Sequence, residues 1–202
     1  MNDLSVPPEK LPTVSLERPP YDAVVLAGGE ARRFGADKLG VVVDGVRLLD
    51  RVLASVADAQ RCVVVGPERE TVVPVVWTRE DPPGSGPANA VVAGLRGCEA
   101  PYAVLLAGDL PYVAATTVVR LLSALDADPT ADGVMLVDES GRDQLLCSAW
   151  RREALGRAVA TRPDWTGGSV RRLIAPLTTR RLTAEGREAR DIDRPEDLPS
   201  TS

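Results

Sequence analysis

Histidine is absent from the 202-residue sequence, and cysteine occurs only three times. Without histidine there is no imidazole for acid–base catalysis, no histidine ligand for a metal ion and no Ser-His-Asp triad. The cysteines Cys62, Cys98 and Cys147 are odd in number, far apart and without a C-x-x-C pair, which favours buried, reduced thiols. Catalysis is therefore expected to use carboxylates, cations, backbone amides or a metal ion held by oxygen atoms.

Long hydrophobic runs are also missing. No apolar stretch approaches the roughly 20 residues that a membrane span needs, and residues 1–20 have neither the basic start nor the apolar centre of a signal peptide. We therefore expect a cytoplasmic protein with a flexible, proline-rich tail over residues 1–20. The net charge of −5 does not indicate nucleic acid or an anionic membrane as a partner. A site for a polyphosphate would have to concentrate positive charge locally.

Apolar runs of strand length alternate with periodic segments of helix length, which is typical of an α/β fold. The length and the 44% content of hydrophobic residues suit a single domain, placed here at 21–202. Within it the pattern predicts a helix at 48–58, a short strand at 73–78 and a central strand at 102–111. In such sheets ligands bind at the carboxyl ends of the strands. Three loops should open there, namely 28–38, 82–87 and 108–111.

The first of these loops belongs to the stretch VVLAGGEARRFGADKLG. Gly28 and Gly29 follow a predicted strand, and Arg33, Gly35 and Lys38 come after them. Glycines let the backbone approach phosphate oxygens, and consecutive N–H groups can bind an anion. Arg33 and Lys38, the latter expected as an exposed loop cation, would add positive charge. The spacing is neither G-x-G-x-x-G nor a Walker A loop, but it favours a phosphate-binding loop over an ordinary glycine turn.

Three acidic residues could complete such a site. Asp109 follows the apolar run YAVLLAG, where a carboxylate can hold Mg²⁺ or, equally, cap a turn before Pro111. Asp193, in DIDRPEDL, is either a second metal ligand or a helix-capping acid. Asp81 precedes the glycine loop that ends in Gly86 and Pro87. Its carboxylate could accept hydrogen bonds from the edge of a base, or it could be a solvated loop acid.

The order of these motifs resembles that of the molybdenum cofactor guanylyltransferases, the MobA-like family of small nucleotidyltransferases. The resemblance rests on L-A-G-G-x-x-x-R-x-G-x-D-K, a Gly-Pro loop, GDLP after a strand and a closing D-x-D-x-P-E-D-L, and it covers about Asp22 to Leu198. It implies a three-layer Rossmann-like nucleotidyltransferase fold whose sheet is mostly parallel with one antiparallel strand. It also implies a half that binds GTP and Mg²⁺, residues 21–111, and a half that binds the acceptor, residues 112–202.

The reaction implied by the resemblance is attack of the terminal phosphate of molybdopterin on the α-phosphate of GTP. Pyrophosphate is released and the guanine dinucleotide cofactor is formed. The attacking oxygen is already ionised at neutral pH, so no general base is needed. The resemblance assigns Lys38 to the phosphates, Asp81 to the guanine edge and Asp109 to Mg²⁺, for which Asp193 is the second candidate ligand. The resemblance also implies Leu26, Ala27 and Gly29 for nucleotide binding. The residues themselves add Gly28 and Gly86 for nucleotide binding and Arg33, beside Lys38 and Asp109, for catalysis.

The expected small-molecule partners are GTP and molybdopterin or its molybdenum cofactor. Molybdoenzymes and other proteins of cofactor biosynthesis are the expected protein partners, whereas nucleic acid and membranes are not expected. Five polar residues of the C-terminal half are candidate contacts for the acceptor, although each could equally be a solvated surface residue. They are Arg142, Gln144, Ser169, Arg171 and Arg172.

Three positions bear on the choice of base. The family's closing N-T-P-E is D-R-P-E here, at 193–196, and an aspartate at that place also occurs in cytidylyl-transferring relatives. The L-A-G-G at 26–29 favours guanylyl transfer, because the cytidylyl-transferring relatives tend to have L-A-A-G. Gly66 replaces a residue that is often polar in the family. The alternatives are transfer of a cytidylyl or other nucleotidyl group, another phosphorylated acceptor, or a non-catalytic nucleotide-binding relative.

Overall fold

The computed structural model describes residues 19–28 and 38–190. Its helices are α1 (Leu48–Ser55), α2 (Pro87–Leu95), α3 (Ala115–Asp126), α4 (Arg152–Ala160) and α5 (Val170–Ile174), with a short 3₁₀ helix at Lys38–Gly40. Its strands are β1 (Tyr21–Leu26), β2 (Val42–Val43), β3 (Val46–Arg47), β4 (Cys62–Val65), β5 (Val76–Thr78), β6 (Tyr102–Ala107), β7 (Gly133–Val137), β8 (Asp143–Arg151) and β9 (Thr179–Thr183). The tail predicted at 1–20 lies almost entirely outside the described residues.

Seven strands form one sheet in the order β5-β4-β1-β6-β8-β7-β9, and β2 and β3 form a separate hairpin. β1 pairs in parallel with β4 and β6, β4 with β5, and β7 with β9. β8 runs antiparallel to both of its neighbours, β6 and β7. The predicted α/β class, with a mostly parallel sheet and one antiparallel strand, is confirmed.

Helices cover both faces of the sheet and make the fold three-layered. On one face Leu53 of α1 and Leu122 of α3 pack in a cluster with Val25 of β1. On the other face Val91 of α2 packs in a cluster with Val24 of the same strand, and α4 and α5 contribute to that cluster. A strand buried on both faces needs a continuous apolar run rather than alternation, which explains the sequence of β1. Within the described ranges, no helix is long and apolar enough to cross a bilayer.

Two elements are shorter than predicted. The helix predicted at 48–58 ends at Ser55, where the next N–H bonds to a carbonyl three residues back and the chain leaves the helix. The strand predicted at 73–78 begins only at Val76, because Pro74 has no N–H to donate to a sheet ladder. Neither change alters the carboxyl end of a strand, which is where the candidate site lies.

The three thiols are shielded from solvent, since Cys98 and Cys147 are buried and Cys62 is half-buried. Burial raises the pKa of Cys62, Cys98 and Cys147 to about 12 in each case, and only the thiolate is a nucleophile. We expect a thiol reagent to modify the native protein negligibly at mildly alkaline pH and to modify all three thiols in denaturant. Absorbance of the released chromophore measures this. Fast modification of the native protein would contradict a purely structural role for the cysteines.

Candidate functional site

The site is built where the carboxyl ends of three parallel strands meet. β1, β4 and β6 lie side by side, and a glycine follows each strand directly or one residue later, at Gly28, Gly66 and Gly108. The hydrogen bonding continues beyond the strands, since Ala27 N–H donates to the carbonyl of Val65 (2.8 Å). This edge is the one at which an open α/β sheet binds its ligand.

Gly66 is required by the close contact of two strand ends. A methyl group added at Gly66 would lie 2.6 Å from the carbonyl carbon and oxygen of Ala27 and 2.8 Å from the nitrogen of Gly28. Real Cβ atoms do not approach backbone atoms this closely, so a side chain here would separate β1 from β4. The departure from the family pattern at Gly66 therefore has a packing cause. It also leaves bare backbone beside Gly28.

Gly108 brings the 3₁₀ helix at Lys38–Gly40 against the end of β6. The strand predicted at 102–111 ends at Ala107, and the N–H of Gly108 donates to the carbonyl of Leu26 (2.9 Å). A methyl group at Gly108 would lie 3.1 Å from that carbonyl oxygen and 3.3 Å from Cδ2 of Leu39. The absence of a side chain thus allows Leu39 to pack closely. Lys38, the neighbour of Leu39, and Asp109, the neighbour of Gly108, are brought together as a result.

Lys38 and Asp109, which are 71 residues apart in sequence, form an ion pair at this edge. Nζ of Lys38 donates to Oδ2 of Asp109 at 2.7 Å, and the side chains are 15% and 27% exposed. The expectation that Lys38 is an exposed loop cation was therefore wrong, because packing of Leu39 draws it inward against a carboxylate. The pair offers an ammonium suited to phosphate beside a carboxylate suited to a hard cation.

The loop that carries Asp81 lies between β5 and α2 and is held by its own polar contacts. Nδ2 of Asn89 donates to the backbone carbonyl of Asp81 (3.1 Å) and to Oγ of Ser85 (2.7 Å). Asp81 itself is exposed. Gly86, with φ of 103°, precedes the first residue of α2; positive φ of this kind favours glycine. The loop therefore presents the Asp81 carboxylate from a fixed backbone.

A turn from the C-terminal half braces this loop. Gly167 N–H donates to the carbonyl of Ser85 (2.6 Å), and Ala88 N–H donates to the carbonyl of Gly168 (3.2 Å). A methyl group at Gly86 would lie 3.3 Å from that Gly168 oxygen, so glycine allows the turn to approach closely. The two halves of the chain consequently meet at the Asp81 loop.

Glu80, the neighbour of Asp81, is buried, with 9% of its surface exposed. Its Oε1 accepts a hydrogen bond from Gly84 N–H at 2.9 Å. Its Oε2 is also buried, and none of the described residues donates to it. Sequence reasoning missed this carboxylate, because nothing in the sequence distinguishes a buried glutamate from an exposed one beside a loop aspartate.

The acceptor candidates of the C-terminal half divide into structural and surface residues. Gln144 donates from its amide to Oδ2 of Asp138 (2.8 Å) and so holds the turn before β8. Oγ of Ser169 accepts from Arg172 N–H (3.2 Å) and caps α5. Arg142 and Arg172 are exposed. These contacts give Gln144 and Ser169 structural roles that need no ligand.

Arg171 lies instead at a cavity of about 290 Å³ between α5 and the strands β7, β8 and β9. Asp143 holds two guanidinium groups there, that of Arg171 at 3.4 Å and that of Arg181 at 2.6 Å. The other lining residues are mostly apolar: Met135, Leu145, Ile174, Ala175, Leu177 and Thr179. The cavity thus combines an apolar wall with a charged rim.

A sequence profile described as the MobA-like NTP transferase domain matches residues 23–182. The chain belongs to this family. It is therefore a nucleotidyltransferase, as the motifs predicted. The molybdenum cofactor guanylyltransferase of Rhodobacter capsulatus is 32% identical to this MobA-like chain over 135 residues, which are 63% of this chain and 67% of that protein. The resemblance inferred from the motifs, to an enzyme family of molybdenum cofactor biosynthesis, is confirmed.

Solved structures agree on the fold of the MobA-like chain. The molybdopterin-guanine dinucleotide biosynthesis protein A of Archaeoglobus fulgidus superposes with a TM-score of 0.66 at 20% identity, covering 88% of this chain and 94% of that one. The 2-C-methyl-D-erythritol 4-phosphate cytidylyltransferase of Thermus thermophilus superposes with a TM-score of 0.64 at 19% identity, covering 87% and 94%. The Rossmann-like nucleotidyltransferase fold is confirmed. It is shared by proteins named for different bases.

The residues expected to hold Mg²⁺ are described only in part. Gly29, Arg33 and Asp193 lie outside the described residues, so their roles stay predictions. Among the residues that the structure describes, no group of three or more potential metal ligands occurs. Asp109 nevertheless fits Mg²⁺, which is usually bound by one or two carboxylates together with substrate phosphates rather than by a protein cage.

Proposed function

We propose that this MobA-like transferase transfers GMP from GTP to the terminal phosphate of molybdopterin and releases pyrophosphate. The observation that carries the proposal is the Lys38–Asp109 pair at 2.7 Å beside the glycine-lined strand ends. This pair supplies charge for a triphosphate and its counterion where bare backbone allows a ligand to approach. The name of the Rhodobacter capsulatus relative supports guanine as the base and the molybdenum cofactor as the acceptor.

In this proposal the residues of the chain position and neutralise, and no protein nucleophile takes part. Lys38, Arg33 and the backbone of 26–29 bind the triphosphate, and Asp109 with Asp193 would hold Mg²⁺. When bound, Mg²⁺ supplies charge neutralisation for the phosphates. An oxygen of the molybdopterin phosphate forms a bond to the α-phosphorus of GTP. The bond from that phosphorus to the bridging oxygen breaks, and its electrons leave with pyrophosphate.

We further propose that the C-terminal half, residues 112–202, binds the acceptor. The cavity beside α5 supports this, because an apolar wall with a few polar groups is typical of small-molecule sites. The guanidinium groups of Arg171 and Arg181 at its rim suit a phosphate or a planar polar ring. The turn at 167–168 would couple the two halves, since it contacts the Asp81 loop directly.

A screen of nucleotides tests the proposed reaction. The protein would be incubated with molybdopterin, Mg²⁺ and each of GTP, ATP, CTP and UTP, and the products weighed by mass spectrometry. We expect the guanine dinucleotide to form with GTP and little product with the others. Preferential formation of the cytidine dinucleotide would support the cytidylyl alternative. Binding of GTP without any product would support a non-catalytic relative.

Asp81→Ala is expected to lose most of the preference for GTP over ATP and CTP, with a smaller loss of overall rate. Guanine presents N1–H and N2–H₂ as neighbouring donors, and removing a carboxylate acceptor takes away part of that discrimination. Ratios of kcat/KM for the three nucleotides measure the effect. If the variant keeps the full preference, the contact with the base lies elsewhere, most simply at the backbone of 26–29.

A cytoplasmic location and delivery of the product to molybdoenzymes, or to other proteins of cofactor biosynthesis, are part of the same proposal. The three free thiols support the location, because thiols persist unpaired where the cell is reducing. The relatives' role in cofactor biosynthesis supports a protein recipient.

A further inference from the structure

We propose that Glu80 is a base-specificity residue, and that its buried carboxylate accepts a hydrogen bond from the donor edge of guanine. The inference rests on the proposed guanylyl transfer and adds to it a contact that the motifs do not assign. In the sequence, Glu80 is only the residue before Asp81. In the structure, the two neighbours differ, because Glu80 is buried and Asp81 is exposed.

The first observation is the unsatisfied oxygen. Glu80 is 9% exposed, and its Oε1 is engaged by Gly84 N–H at 2.9 Å. Oε2 is buried and receives no hydrogen bond from the described part of the chain. A buried acceptor without a donor destabilises the fold, and such groups in native proteins call for an explanation. A ligand that brings a donor would remove the penalty when it binds.

The second observation is the position of Glu80 beside the bare strand ends. Gly66 N–H donates to the carbonyl of Thr78 (3.0 Å), two residues before Glu80. Gly66 in turn lies directly against the backbone of Ala27 and Gly28, since a Cβ added there would clash with it. The backbone of Gly66 therefore links the end of β1, at Ala27 and Gly28, to Thr78, two residues before the glutamate. A flat base lying on this backbone would extend towards Glu80.

The third observation is that the carboxylate is held in place before any ligand binds. Gly84 has φ of 77°, a conformation that favours glycine, and its N–H fixes Oε1. Contacts of Ser85 with Asn89 and Gly167 fix the rest of the loop. A preorganised, desolvated acceptor discriminates between ligands, because a wrong ligand leaves it unpaired.

The chemistry of the bases explains why such an acceptor selects guanine. Guanine carries two adjacent donors on this edge, N1–H and N2–H₂, so Glu80 and Asp81 can each accept one. Adenine and cytosine place a ring-nitrogen acceptor there, which would face a carboxylate acceptor with no proton between them. Inosine keeps N1–H and lacks the N2 amine, so ITP removes one of the two hydrogen bonds.

Glu80→Gln tests the proposal, with Glu153→Gln as the matched control. Glutamine keeps an oxygen for Gly84 N–H and replaces the second oxygen with a donor, so the loop contact survives. Glu153 is an exposed residue of α4 paired only with Arg157 among the contacts described. Calorimetric titration with Mg²⁺ and GTP, ITP, ATP or CTP gives the dissociation constants. We expect Glu80→Gln to weaken GTP about 10- to 100-fold and to leave ATP nearly unchanged, while Glu153→Gln binds as the wild type does.

The wild type provides a measurement that does not depend on the variant's folding. It should bind GTP at least about tenfold more tightly than ITP, since ITP leaves one carboxylate unpaired. A folded Glu80→Gln variant that keeps the wild-type GTP affinity would overturn the proposal, and equal affinity for GTP and ITP would overturn the paired recognition by Glu80 and Asp81. A wild type that prefers CTP would overturn the proposed guanylyl transfer itself, a result seen before any variant is compared.

Discussion

Lys38→Ala is expected to lower kcat/KM for nucleotidyl transfer about 100- to 1,000-fold, the loss seen when a charged or hydrogen-bonding group that stabilises a transition state is removed. Lys38 is one of two lysines in the chain, and its ammonium lies at the strand ends where the triphosphate is proposed to bind. Charge on the α-phosphate and the leaving pyrophosphate would be left uncompensated. Steady-state rates of pyrophosphate release measure the effect.

Arg96→Ala is the matched control for loss of a positive charge. Arg96 is exposed at the C-terminal end of α2, the end remote from the Asp81 loop, so its removal should leave the rate unchanged. Circular dichroism would establish that Lys38→Ala remains folded. Near-normal turnover by Lys38→Ala would remove the phosphate-binding interpretation of the stretch that ends in Lys38.

Asp109→Asn is expected to raise the Mg²⁺ concentration for half-maximal rate and to lower the maximal rate. Asparagine can still accept the hydrogen bond from Lys38, so the packing at Gly108 is kept, but the negative charge that Mg²⁺ prefers is lost. Titration of Mg²⁺ at saturating GTP separates the two effects. Asp128→Asn, in an exposed turn after α3, is the control. An unchanged Mg²⁺ requirement in Asp109→Asn would make Asp109 a turn residue only.

Local signals in the sequence predicted much of the fold. β1 and β6 were predictable because a strand buried on both faces needs a nearly continuous apolar run, as at 23–26 and 103–107. The turn between β7 and β8 was predictable at 139–141, where Gly141 N–H now donates to the carbonyl of Asp138 (2.9 Å). Consecutive residues determine local structure of this kind. The order of the strands is not, because it depends on packing between distant segments.

In the candidate site, too, the sequence predicted the local features and not the contacts between distant segments. Gly28, Lys38, Asp81 and Asp109 were identified by motif, but their mutual geometry was not. The ion pair joins segments 71 residues apart, and the missing side chain of Gly108 leaves room for Leu39 to pack beside it. The brace at 167–168 and the burial of Glu80 are likewise long-range properties. Glycines that permit close contact resemble ordinary turn glycines until the contacting segment is known.

The most direct test of the account follows the phosphorus atoms of GTP. Two reactions would be run with molybdopterin and Mg²⁺, one with GTP labelled at the α-phosphate and one with GTP labelled at the γ-phosphate. Guanylyl transfer predicts that the α-label appears in the dinucleotide product and the γ-label in pyrophosphate. Appearance of the γ-label in the pterin product, or of either label only in free GMP, GDP or phosphate, would contradict it.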